Sequence, residues 1–135
     1  MLSDEQRQEL IETALHARKW AYAPYSKYLV GAALLSDSGK IYEGVNVENA
    51  AYPTSMCAER VALFKAISEG ERHFSAIAVA TVNGGAPCGA CRQALSEFGQ
   101  DLLVIVVNGK GEVQQETPLR VLLPGAFRPE DLTSK

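Results

Sequence analysis

Three cysteines and one glutamate occupy the positions from which this sequence could do chemistry. Cys57 and Glu59 stand two apart in Met56-Cys57-Ala58-Glu59-Arg60, and Cys88 and Cys91 bound the pair in Pro87-Cys88-Gly89-Ala90-Cys91. A C-x-x-C pair by itself fits metal binding and redox chemistry equally well, and lone cysteines are commonly core residues. An odd count of three makes a poor disulfide framework. Both motifs fall where the hydrophobic pattern predicts a helix to begin. Free backbone N–H groups and the positive end of the helix dipole favour thiolate over thiol there. Cys88 and Cys91, three apart on a first turn, share a face. Three sulfurs leave a tetrahedral zinc one open position, which marks a catalytic site and not a closed structural one. His16, inside the first predicted helix, and His73, in a charged loop, are not expected as ligands, so the fourth ligand is expected to be water. A glutamate two residues past a helix-starting ligand can reach that water without touching the metal. Glu59 and Pro87 therefore tip the reading from ordinary thiols to a catalytic zinc centre.

These residues need a scaffold that brings two helix starts together. Residues 3–22 read as a helix, with Leu10, Ile11, Ala14, Leu15, Arg18 and Tyr22 at three- and four-residue spacing. Ser3 and Gln6 form a capping box at its start, and Pro24 ends it. Residues 28–36 and 40–47 read as strands joined by the turn Asp37-Ser38-Gly39. Thr54 or Ser55 could cap a second helix over 57–69, which Gly70 stops. Residues 77–82 read as a strand and Asn83-Gly84-Gly85 as a loop, with a third helix over 89–98. The aliphatic run 102–108 suits a strand buried on both faces. A short strand over 113–117 and a short helix from Pro118 to about residue 124 complete the chain. The expected fold is α/β: a three-layer α-β-α sandwich with a mixed, about five-stranded central sheet.

With 135 residues and 47% hydrophobic content, residues 1–135 are expected to form one domain with a real core. No apolar run approaches the ~18 residues of a spanning helix. The start MLSDEQRQEL lacks the basic flank and apolar stretch of a secretory signal, so a cytoplasmic protein is the expectation. The net charge of −3, without a Lys/Arg cluster, argues against nucleic acids and highly phosphorylated partners. A neutral small molecule fits better.

The two motifs together resemble the zinc nucleoside and nucleobase deaminases, whose first ligand is His or Cys. More narrowly, the chain resembles the short, homotetrameric cytidine deaminases. The likeness extends through Ala23-Pro24-Tyr25-Ser26-Lys27, Val30-Gly31-Ala32-Ala33-Leu34, Gly44-Val45-Asn46-Val47-Glu48-Asn49-Ala50 and Leu122-Leu123-Pro124-Gly125-Ala126-Phe127. The resemblance implies one Zn²⁺ per chain on Cys57, Cys88 and Cys91, with Glu59 as proton shuttle. It implies that Arg60, Arg92 or both donate to thiolate sulfur, which would restore Lewis acidity that three thiolates blunt. Asn46 and Glu48, two apart on the predicted strand, should project from one face while Val45 and Val47 join the core. The resemblance gives that amide–carboxylate pair the ribose 3′-hydroxyl. It further implies that Tyr28, where phenylalanine is common, lines the base pocket, and that backbone groups of Ala58 and Ala86 contact the pyrimidine. Phe127 would reach the base in a neighbouring subunit's site. The implied reaction is hydrolysis of cytidine and 2′-deoxycytidine to the uridines. The alternatives are a deaminase of a modified cytosine nucleoside, such as an aminoacyl-nucleoside antibiotic, of a free base or of polynucleotide cytosines, and a non-enzymatic zinc module.

Overall fold

The computed structural model describes residues 2–133. Its centre is a five-stranded mixed sheet in the order β2-β1-β3-β4-β5, built from β1 Gly31–Ser36, β2 Ile41–Val45, β3 Phe74–Ala80, β4 Leu103–Val107 and β5 Val113–Pro118. Only β3 and β4 run parallel; the other pairs are antiparallel. Helix α1 (Asp4–Arg18) covers one face, and α2 (Ala58–Ser68), α3 (Gly89–Ser96) and α4 (Leu119–Leu122) cover the other; a short α5 spans Pro129–Thr133.

The three layers follow from strand alternation. On β4, Val104 and Val106 join Leu63 of α2 and Leu95 of α3, while Ile105 and Val107 point the opposite way, to Leu10 and Ala14 of α1. The aliphatic run is thus buried on both faces, as a strand between two helical layers must be. The expected sandwich and sheet are present. The capping box is present too: Ser3 Oγ accepts from Gln6 N, and Gln6 Oε1 accepts from Ser3 N, each at 3.1 Å.

Several boundaries move for reasons of local bonding. Helix α1 stops at Arg18, four residues before the expected end. Beyond it Tyr22 bridges to Val47, with Tyr22 N donating to Asn46 O and Glu48 N to Tyr22 O, both at 2.9 Å. Strand β1 starts at Gly31; before it, the Asn46 side chain accepts from Val30 N and donates to Tyr28 O, so that these two groups are bonded outside the strand ladder. Neither Thr54 nor Ser55 caps α2; Cys57 itself is the N-cap, with no side-chain cap bond, and Ser55 Oγ accepts from Asn49 N instead. The first-turn amides of α2 are thereby left facing the cysteine site.

Close approach between α2 and the sheet depends on Gly44. A Cβ at that position would lie 2.5 Å from Ala62 N, and closer still to the carbonyl of Ala58. These are backbone atoms of the helix, which cannot step aside as a side chain can. Gly44→Ala is expected to destabilise the fold by about 1–3 kcal/mol, the range for overpacking a dense core. Urea unfolding measures this, and an unchanged midpoint would mean that α2 is not seated on Gly44.

The β1–β2 hairpin is fastened by Glu71, whose carboxylate accepts from Ser36 Oγ at 2.5 Å, Ser38 Oγ at 2.7 Å and Tyr42 Oη at 2.9 Å. The Ser36, Ser38 and Tyr42 hydroxyls hold its pKa below the usual carboxylate value, and burial followed by the bond to Glu71 pushes the Tyr42 phenol up to about 12. A depressed carboxylate stabilises the fold above its unfolded-state pKa of roughly 4.3, and the gain disappears as pH falls through the lower folded-state value. Wild type should therefore melt above Glu71→Gln at neutral pH, with the gap closing in acid. A gap that widens in acid would contradict the sign.

Candidate functional site

One end of the sheet opens into a cavity of about 440 Å³, lined among others by Tyr28, Asn46, Glu48, Cys57, Ala58, Glu59, Ala86 and Cys88. Residues as far apart in the chain as Ser26 and Cys88 meet here because α2 and α3 begin at the same place. Cys57 is the N-cap of α2, Cys88 the N-cap of α3, and Cys91 lies one turn further along α3.

The sulfurs form a tight triad. Cys57 Sγ is 3.8 Å from Cys88 Sγ, Cys88 Sγ is 3.5 Å from Cys91 Sγ, and all three lie within 4.8 Å of one another. Tetrahedral zinc with Zn–S bonds of about 2.3 Å requires sulfurs about 3.8 Å apart, so the residues fit that ion. Their electrostatics fit it as well. A hydrogen bond from Cys91, then one from Arg60, pulls the Cys57 thiol down to about 5, and the Cys91 thiol is raised by the same bond and by burial. Three thiolates cannot sit this close uncompensated; a dication resolves the conflict. Among the described residues this is the one group of three or more His, Cys, Asp or Glu able to hold a metal.

Glu59 is 4% exposed and faces the cavity from the first turn of α2. Burial, the largest influence, pushes its carboxyl up to about 7, with the Cys57 charge adding to the rise against the pull of its own backbone N–H and of Arg60. A carboxyl poised near neutrality can both take and return a proton.

Of the two arginines, Arg60 meets the expectation: its Nη2 donates to Cys57 Sγ at 3.4 Å, and its guanidinium pKa is raised chiefly by that bond. Arg92 does not reach sulfur. Its Nε donates to Pro87 O and its Nη1 to Leu122 O, each at 2.8 Å. One residue past Cys91, it is turned about 100° around α3 from that sulfur, and it ties the segment before Cys88 to the end of α4.

Asn46 and Glu48 both face the cavity, but not from a strand. Strand β2 ends at Val45, and the chain continues through isolated bridges at Val47. Asn46 Oδ1 accepts from Val30 N at 2.9 Å and Asn46 Nδ2 donates to Tyr28 O at 2.8 Å. Glu48 Oε1 accepts from Tyr25 N and Ser26 N, each at 3.0 Å, and Glu48 Oε2 accepts from Ser26 Oγ. The Ser26 bonds, side chain first, hold the Glu48 pKa below its usual value. Val47 is 44% exposed and not core, and Val45 is half-buried. Alternation still sets Asn46 and Glu48 on one side; what fails is the burial expected of Val45 and Val47.

Tyr28, Ala58 and Ala86 line the cavity as expected. Phe127 is 55% exposed and outside the lining; its backbone is held by Gln93, whose Nε2 donates to Phe127 O at 2.8 Å. Sequence reasoning passed over Ser26 and Thr81, which also line the cavity. The 2% exposed Thr81 accepts on Oγ1 from Gly84 N and Gly85 N, each at 2.8 Å. A hydroxyl three residues before a Gly-Gly pair is the signal that could have marked it.

Three clustered cysteine sulfurs that could hold a zinc ion and a buried carboxyl share one cleft, the set of groups that a catalytic zinc site with a free coordination position requires. The family model described as "Cytidine and deoxycytidylate deaminase zinc-binding region" matches residues 4–107. A cytidine deaminase of Sporosarcina psychrophila is 50% identical over 129 residues, covering 93% of this chain and 94% of that one. A probable cytidine deaminase of Dictyostelium discoideum is 42% identical, covering 99% of this chain and 92% of that one. The crystal structure of cytidine deaminase from Burkholderia pseudomallei superimposes with a TM-score of 0.84 at 50% identity, over 89% of this chain and 98% of that one. The chain belongs to the cytidine deaminase family of zinc enzymes.

Proposed function

We propose that the chain hydrolyses cytidine and 2′-deoxycytidine to uridine and 2′-deoxyuridine, releasing ammonia. The observation that carries this reading is the buried Glu59 carboxyl in the same cavity as the sulfur triad, two residues from Cys57. When bound to Cys57, Cys88 and Cys91, zinc supplies the Lewis acidity that makes water a nucleophile near neutral pH. Glu59 accepts a proton from the attacking water and passes it to N3 of the pyrimidine as the C4–O bond forms. It then takes the second water proton and delivers it to the C4 amino group, which leaves as ammonia when the C4–N bond breaks. Arg60, bonded to Cys57 sulfur, draws charge from that thiolate.

Bonding capacity supports the sugar-binding roles. Asn46 Nδ2 spends one N–H on Tyr28 O and retains another. Glu48 accepts three bonds and has one lone-pair site left on Oε2. Donor and acceptor together suit a ribose 3′-hydroxyl, and the ionised Glu48 disfavours a phosphate nearby. Tyr28 walls the base, and backbone groups of Ala58 and Ala86 contact it.

The site is completed, in this reading, by Phe127 of a neighbouring copy in a homotetramer. Support comes from its exposure outside its own cavity and from other exposed aromatics: Trp20 at 74%, Tyr52 at 60% and Tyr22 at 56%. We read residues 1–135 as one catalytic domain, one sheet sharing both cores. Three free cysteines serving as ligands suit the reducing cytoplasm. Among the described residues no helix is long and apolar enough to cross a membrane.

An ultraviolet assay tests the activity. Cytidine and deoxycytidine should lose the cytosine absorbance, with cytidine 5′-monophosphate turned over at least about tenfold less efficiently, because like charges meet at Glu48. No turnover of either nucleoside would sink the reading. Light scattering should report a tetramer, and a fully active monomer would remove Phe127 from the site.

A further inference from the structure

Tyr28 reaches across the mouth of the cavity to the loop that follows β3. Its hydroxyl donates to Asn83 Oδ1 at 2.7 Å. The same oxygen lies 3.4 Å from Thr81 Oγ1, the group that accepts from Gly84 N and Gly85 N. One chain of hydrogen bonds therefore runs from the phenol through Asn83 and Thr81 into the backbone just before Ala86, Pro87 and Cys88.

Gly85 is shaped to this arrangement. A Cβ built there would fall inside 3.0 Å of Tyr28 Oη, yet would lie 3.5 Å from Tyr28 Cζ and 3.8 Å from Asn83 Oδ1. The last two are ordinary van der Waals separations. The side-chain space of residue 85 is taken by one hydroxyl oxygen. Gly85 does not adopt the left-handed conformation that bars an alanine, so only that oxygen stands in the way.

We propose that Tyr28, Asn83 and Gly85 form a positioning latch: the Tyr28 hydroxyl, seated in the space of the missing residue-85 side chain and held by Asn83, sets the loop that presents Ala86 and Cys88 to the cavity. The catalytic consequence rests on the deaminase reading; the steric coupling does not. Tyr28 has two separable jobs. Its ring walls the base pocket, and its hydroxyl, committed to Asn83, fixes the loop opposite.

The test is a rescue. Wild type, Gly85→Ala, Tyr28→Phe and the double variant are compared for kcat and KM with cytidine, for zinc content and for melting temperature. Gly85→Ala is expected to raise KM about tenfold, and Tyr28→Phe about threefold, with kcat less affected, as misplacing a binding loop would do. The double variant should return to within about threefold of wild type, because without the oxygen the added Cβ meets only Cζ. A double variant worse than Gly85→Ala alone overturns the latch. If no version turns over cytidine, the deaminase reading fails. The latch is then decided by melting: a double variant melting above Gly85→Ala supports it, and one melting below overturns it. Should Gly85→Ala not fold, Tyr28→Phe and Asn83→Ala decide. Combined, they should cost no more than either alone, and additive losses would refute the hydrogen bond's role.

Discussion

Replacing Glu59 with Gln is expected to lower kcat for cytidine at least about 10³-fold while zinc content stays unchanged. The size follows from the number of proton transfers involved. A single positioned acid or base contributes about 10²–10⁴-fold, and the proposed reaction asks Glu59, the buried carboxyl two residues from Cys57, to serve water, ring nitrogen and leaving amine in turn. Gln keeps the shape and cannot carry a proton. Zinc content should hold because the metal-sized cluster contains three sulfurs and no carboxylate. KM should change far less than kcat, since the lost interaction belongs to the transition state. The variant should also melt at or above wild type, because a carboxyl 4% exposed and displaced to about 7 is held at a cost to stability. Substantial turnover by Glu59→Gln would move the proton shuttle elsewhere.

Cys91→Ala is expected to abolish both zinc retention and activity. Cys91 is fully buried, with its sulfur 3.5 Å from that of Cys88. Its loss leaves two ligands, one of them on an exposed residue. Chelation of wild type should have the same effect on activity, and added zinc should restore it in wild type but not in the variant. Stability should follow occupancy: a site bound at a thousandfold excess over Kd contributes about 4 kcal/mol. Because Cys57 and Cys88 cap α2 and α3, metal loss should be felt at those helix starts first. Metal analysis and melting curves on the same samples check both claims. A variant that keeps one zinc per chain with normal melting would remove Cys91 from the ligand set.

Much of this site was legible from sequence for a local reason. Helix starts are encoded within a few residues, so Cys57, Glu59, Cys88 and Cys91 could be placed on first turns before any fold was known. The capping box at Ser3, the doubly buried β4 and the α-β-α layering were legible in the same way, because periodicity is a property of short segments. Substrate-side residues were less secure. Family likeness singled out Asn46 and Glu48, which line the cavity, while the presumed strand gave the wrong backbone beyond Val45 and a wrong burial for Val47.

What sequence alone determined is the chemical inventory: three soft ligands, a carboxyl beside one of them, and the elements that carry them. What only the tertiary structure decided is which long-range partners claim each polar group. Arg60 and Arg92 both stand in the first turn or so of a helix that a cysteine caps, yet one bonds sulfur and the other bonds two carbonyls, one of them the Leu122 carbonyl that α4 brings within its reach. Likewise, nothing near Tyr28 in the chain announces Asn83, 55 residues away. Hydrogen-bond geometry is satisfied in space and not along the chain, so a pattern of residue types can name the donors and acceptors but not pair them.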